Sequence, residues 1–130
     1  MDERMKTHGD FGWCDLMTDE PEKARAFYTD VIGWTTEVVD IGKGPYTVLK
    51  TGQRPVAGIM GKPPEASGAP TAWTAYVTVD DVDARAARVE GAGGAVIVAP
   101  VDIPSVGRMA VIQDPTGGVI GIITYAEPVD

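Results

Sequence analysis

Apolar positions in this chain fall into short runs that switch from strand-like to helical spacing and back, and they do so twice. Phe11–Thr18 holds enough apolar residues for a buried strand. Pro21 suits the first turn of a helix, with Asp19 or Glu20 ahead of it as the cap. Ala24, Phe27, Tyr28 and Val31 then follow at i, i+3, i+4 and i+7, a helical stripe expected to face a sheet. Gly33 ends that helix by offering an easy left-handed residue. Strands are predicted at Thr35–Asp40, Tyr46–Thr51 and Val56–Met60, parted by turns at Gly42-Lys43-Gly44-Pro45 and Gly52–Pro55.

The second pass starts about 60 residues later. Trp73-Thr74-Ala75-Tyr76-Val77-Thr78 echoes Trp13-Cys14-Asp15-Leu16-Met17-Thr18, and Ala84-Arg85-Ala86 echoes Ala24-Arg25-Ala26. Trp73–Val79 reads as a strand, and Asp80 or Asp81 caps a helix running to about Glu90. Ala95–Ala99, Arg108–Gln113 and Gly118–Tyr125 are the remaining strands, the last two joined by the turn Asp114-Pro115-Thr116-Gly117-Gly118. Gly61–Pro70, with three prolines, is the linker between halves. The fold class is therefore α+β, with two β-α-β-β-β modules: module one over 10–61, linker 62–71, module two over 72–126. Residues 1–9 form a flexible N-terminal arm ahead of a single domain over 10–130.

Composition narrows the function classes. The chain has 130 residues, 44% of them hydrophobic, enough for one domain with a real core. A net charge of −8 lacks the basic footprint that nucleic acid requires. No apolar run reaches membrane-spanning length, and the charged N-terminus leads into no signal-type segment, so neither membrane nor export is expected. Cys14 is the only cysteine, which favours a cytoplasmic home.

Three features in order then become specific: Ala26-Phe27-Tyr28 followed by Gly33-Trp34, the helix entry Val79-Asp80-Asp81-Val82-Asp83-Ala84, and the Asp114-Pro115-x-Gly117 turn. Together they resemble the vicinal oxygen chelate superfamily of glyoxalase I, bleomycin-resistance proteins and extradiol dioxygenases. The resemblance covers about residues 10–126 and implies that the modules curl into a cup-shaped mixed sheet, commonly in a homodimer. Metal-dependent members place an inward ligand on the first and the last strand of each module. Those positions fall here on Trp13, near Met60, on Trp73 or Thr74, and on Gly121. A divalent ion needs His or carboxylate donors, and none of these residues supplies one. His8 is the only histidine and lies in the arm. The expectation is no metal and no other cofactor.

What replaces the donors is an aromatic, partly polar wall. Trp13 and Asp15 share one side of the first strand, and Thr74 and Tyr76 share one side of the fifth, so these are favoured as inward pairs. Trp73 is then left to core packing or a dimer seam. With Met60, Tyr46 and Arg108 they make up the candidate ligand-binding set; Lys50 shares Tyr46's side. Asp15 is either a ligand-orienting group or general base, or a structural group that caps a backbone edge or pairs with Arg108 or Lys50. Arg108 either clamps an anionic group or lies at the surface. Cys14 has the opposite parity and is expected to pack outward against a helix; no catalytic residue is assigned. The favoured reading is a metal-free protein that binds a small aromatic or amphipathic molecule, a metabolite or an antibiotic. A metal-independent lyase or isomerase using Asp15 or Tyr76 for proton transfer is the alternative. A dimeric interaction protein with a vestigial pocket is the third.

Overall fold

The computed structural model describes residues 3–42 and 44–126. Met1 and Asp2 of the expected arm, Lys43 of the first turn and residues 127–130 lie outside the described residues. The chain divides into two compact units, one spanning Cys14–Thr74, the other running from Ala75 onward and including the N-terminal stretch through Trp13.

The first unit is built from β1 (Phe11–Thr18, from Cys14 on), α1 (Pro21–Val31), β2 (Thr35–Asp40), β3 (Pro45–Thr51) and β4 (Arg54–Gly61). β2, β3 and β4 form an antiparallel meander, and β4 returns beside β1 in parallel, giving the order β2-β3-β4-β1. Pro21 opens α1 after Glu20, whose amide donates to Thr18 Oγ1 at 3.1 Å. Gly33, at φ 87°, closes it with its amide on Tyr28 O. Beneath the helix lie Leu16, Leu49, Ala57 and Ile59, with Ala24, Tyr28, Trp34 and Val56 packed against them. The predicted four-residue stripe is thus only half right. Ala24 and Tyr28 face the sheet, whereas Phe27 and Val31 are exposed.

The second unit repeats the plan with β5 (Ala72–Thr78, from Ala75 on), α2 (Val82–Ala86), β6 (Ala95–Ile103), β7 (Gly107–Gln113) and β8 (Val119–Tyr125). Its order is β5-β8-β7-β6, with β5 and β8 parallel and the rest antiparallel. Asp81, not Asp80, caps α2, accepting from the Ala84 amide at 3.1 Å. Regular helix stops at Ala86, short of the expected Glu90, because Arg88 and Val89 donate to carbonyls only three residues back. Gly93, at φ 94°, ends the following 3-10 turn. Val79, Val82, Ala86, Ala110 and Ile122 form the core under α2. The expected α+β architecture of two β-α-β-β-β modules is therefore what the chain adopts.

Arg4, Gly9 and Asp10 hydrogen-bond to Thr78 at the end of β5. The Gly9 amide donates to Thr78 O at 2.8 Å, the Thr78 amide donates to Asp10 O at 2.7 Å, and Thr78 Oγ1 donates to Arg4 O. Beside them Arg85 grips Asp80 through two bonds of 2.9 and 3.0 Å, and His8 Nδ1 accepts the Asp80 amide. Hydrogen bonding from Arg85, aided by its charge, lowers the Asp80 carboxyl to about 2. A folded value below the ordinary carboxylate range stabilises the native state above that range and is lost as pH falls through it. The gap in Tm between wild type and Arg85→Ala should therefore be full at neutral pH and close as pH approaches 2. A pH-independent gap in thermal denaturation would contradict this.

Candidate functional site

Strand register sets which residues share a face. In the first unit, Asp15, Gly58, Val48 and Glu37 lie opposite one another across β1, β4, β3 and β2. The next row on the same face is Met17, Met60, Tyr46 and Val39. Tyr46 leans from its row into the first one. Its Oη donates to Asp15 Oδ2 at 3.1 Å, and both residues are 0% exposed. The path of that ring runs over Gly58, where an added Cβ would lie 2.0 Å from Tyr46 Oη and 2.2 Å from Cζ. Glycine in mid-strand here is what allows the phenol to reach the carboxylate.

Two ion pairs lie in the same unit. Lys50 on β3 bonds Glu37 on β2, and Lys62, just past β4, bonds Asp19 at 3.0 Å. The structural pairing of Asp15 with Lys50, one of the sequence alternatives, is replaced by the bond from Tyr46. Cys14 points to the other side and is exposed instead of packed under a helix. Partial desolvation, and then the neighbouring Asp15 charge, raise its thiol above the ordinary value, which disfavours the nucleophilic thiolate. Thr74 is buried at the end of this unit. Trp73 goes to the α1 side, donating Nε1–H to Tyr28 Oη at 3.0 Å and packing on Tyr28 and Trp34.

In the second unit a parallel device appears. Tyr76, Gly121, Val111 and Val98 form one row across β5, β8, β7 and β6. Tyr76 is also 0% exposed, and its ring covers Gly121 so closely that an added Cβ would lie 2.1 Å from Cδ2. Its hydroxyl donates to Met109 Sδ at 3.6 Å. Trp13 packs edge-on against Tyr125, ring centroids 6.2 Å apart.

Arg108 is elsewhere. It shares the face of Ala110, under α2, and bonds Asp83 at 2.8 and 3.0 Å and its cross-strand partner Asp102 at 3.1 Å. Those two carboxylates hold its guanidinium at the surface, away from Asp15 and Tyr46 in sequence and in hydrogen bonding. Of the candidate ligand-binding set, Asp15, Tyr46 and Met60 come together in the first unit. Tyr76 joins Met109 and Gly121 in the second, where Trp13 meets Tyr125.

The family's metal can be tested against these residues. Register makes Gly58, two residues before Met60, the counterpart of Gly121, since each faces the first strand of its own unit. Both last-strand positions are thus glycines covered by tyrosine rings. Trp13 and Thr74 add no carboxylate or imidazole, and among the described residues no three His, Cys, Asp or Glu side chains gather as a metal site. The residues do not fit the ion. Sequence reasoning missed Gly58 and Met109; the signal for the glycine was a break in each last strand, at Ala57-Gly58-Ile59 and Ile120-Gly121-Ile122.

Gly58→Ala should cost about 1–3 kcal/mol or more by overpacking. Combining it with Tyr46→Ala should be less damaging than the sum of the two single changes, because the second removes the ring that the new methyl strikes. Chemical denaturation of the four proteins in this cycle measures that coupling; strict additivity would count against it.

Comparison with known proteins adds the family. The model of the Glyoxalase/Bleomycin resistance protein/Dioxygenase superfamily matches residues 10–122. The "Putative glyoxylase CFP32" of Mycobacterium bovis is 46% identical over 115 residues, covering 88% of this chain and 43% of that protein. The "Anthracycline biosynthesis protein DnrV" of Streptomyces peucetius is 37% identical over 123 residues, 85% of this chain and 45% of that one. The chain thus spans less than half the length of these relatives. The crystal structure of methylmalonyl-CoA epimerase from Mycobacterium tuberculosis shares the fold, with TM-score 0.59 at 17% identity over 92% of this chain and 89% of that one. With its two β-α-β-β-β modules and a match over most of its length, this chain belongs to the Glyoxalase/Bleomycin resistance protein/Dioxygenase superfamily.

Proposed function

We propose that the protein binds a small aromatic or amphipathic molecule without a metal, using the face of the first unit that carries Asp15 and Tyr46. The observation that carries this reading is the pair of tyrosine rings seated on Gly58 and Gly121, the last-strand positions where the family's metal-dependent members hold a donor. On that face the Asp15–Tyr46 pair is the buried floor, and Val39, Glu37 and Lys50 are the groups a guest reaches. An aliphatic surface beside one carboxylate and one ammonium suits a flat molecule with polar edges. A relative named for anthracycline biosynthesis is in keeping with an aromatic guest. No helix among the described residues is long and apolar enough to cross a membrane, and a single cysteine suits the reducing cytoplasm we assign to it.

A second reading rests on the bond between Tyr46 and Asp15. A phenol and a carboxylate 3.1 Å apart, in a site closed to solvent, form a proton-sharing pair of the kind a metal-independent lyase or isomerase uses. The two readings separate experimentally. Protein purified without chelator should contain no stoichiometric nickel, zinc or iron, and fluorescence titration with an anthracycline aglycone should give the same Kd with and without EDTA. Lys50→Ala should weaken that binding about tenfold or more, the loss of a charge-assisted contact. Stoichiometric metal, or binding abolished by EDTA, would refute the proposal. Turnover that disappears in Asp15→Asn while Kd holds would favour the enzyme.

A further inference from the structure

β2 ends the strand order of the first unit, so among the described residues its outer edge has no neighbour. An open edge is a row of backbone donors and acceptors that another strand can join, and most proteins blunt it. The second unit does so at its own last strand. β6 carries Pro100, and its register with β7 shifts between Val96 and Val98 and again between Val98 and Val101. β2 has neither device. Its residues pair with β3 in unbroken register, from Thr35 opposite Lys50 to Asp40 opposite Pro45, and Thr35, Thr36, Val38 and Val39 are all β-branched. Glu37, the charge at mid-strand, is drawn back across the hairpin to Lys50.

Beside this edge lies a hollow of about 480 Å3, lined by Val38, Val39, Asp40, Gly42, Gly44 and Pro45. Val38 is 53% exposed there. Among the described residues Asp40 is the one charged group in the lining, and its Oδ1 accepts the Gly42 amide at 2.8 Å. Backbone pairing beside a side-chain pocket is the arrangement by which sheets take up an extended peptide. The charges select what pairs. β2 holds the carboxylates of Glu37 and Asp40 and no cation, so a second β2 would add two more carboxylates to the seam, in a chain of net charge −8. A basic strand meets the opposite sign. We propose that the β2 edge captures an extended basic peptide of another protein. The peptide adds a strand beside Thr35–Asp40, seats an apolar side chain in the hollow and sets a lysine or arginine against Asp40. Capture is independent of the ligand reading: the main chain of β2 makes it, and Val39 is the one lining residue that the guest face also uses.

Fluorescence anisotropy with a labelled peptide of alternating valine and lysine tests it, read together with amide hydrogen exchange. The peptide should bind the wild-type chain and slow exchange at alternate amides of Thr35–Asp40. The same peptide with a central valine replaced by proline keeps its charge but cannot complete a ladder, and should bind about tenfold more weakly. Asp40→Asn, which keeps an acceptor for the Gly42 amide, should also weaken binding about tenfold and reduce its salt dependence. Val38→Lys should abolish capture by placing a like charge on the edge. Circular dichroism and Tm check that both variants fold, and Asp40→Asn carries the test if Val38→Lys does not. No binding, equal binding of the proline peptide, exchange slowed only outside β2, or wild-type affinity in Asp40→Asn would overturn the proposal. So would protection of β2 that grows with chain concentration in the absence of peptide, because a second copy would then cover the edge.

Discussion

A tyrosine ring laid across a mid-strand glycine recurs once in each half of this protein, and the interior of each half is arranged around it. In the first unit the ring is Tyr46 over Gly58; in the second it is Tyr76 over Gly121. A strand glycine normally weakens a sheet by leaving nothing to pack. Here the missing Cβ is the space the ring occupies, so each glycine contributes shape complementarity in place of a side chain. The consequence is chemical as well as steric. At both glycines the space that a side chain would take is filled by aromatic surface.

The two halves use the seat differently. Tyr46 spans its glycine to reach a carboxylate, and burying Asp15 is costly unless hydrogen bonds hold it. Tyr76 ends on the sulfur of Met109, a soft partner in an otherwise apolar layer. One tyrosine hydroxyl thus ends on a carboxylate and the other on a thioether. The buried carboxylate belongs to the first unit alone among the described residues. The charged pairs Lys50–Glu37 and Lys62–Asp19 sit in that same unit.

Much of the fold was legible because its signals are local. Turn residues such as Gly33 and Asp114-Pro115, the cap at Asp81 and the apolar runs of the strands each act over a few residues. The site was only partly legible. Asp15 and Trp13, singled out by parity, are each buried. Parity could not tell that Arg108 would turn to Asp83 and Asp102, because those partners are distant in sequence and reach it only through packing of α2 on β7. Phe27 and Val31 misled for a related reason. Helical spacing shows that they share a stripe with Tyr28 and Ala24, but a two-layer unit buries a narrow band of a short helix.

By itself, then, the order of residues determined the repeated β-α-β-β-β plan and the breaks between elements, since both follow from residue type and short-range spacing. Register decided the rest. Only the pairing of β4 with β1 and β3, and of β8 with β5 and β7, set Gly58 beneath Tyr46 and Gly121 beneath Tyr76. Such pairings join residues tens of positions apart, and a shift of one residue would turn every side chain to the other face. No local pattern carries that information.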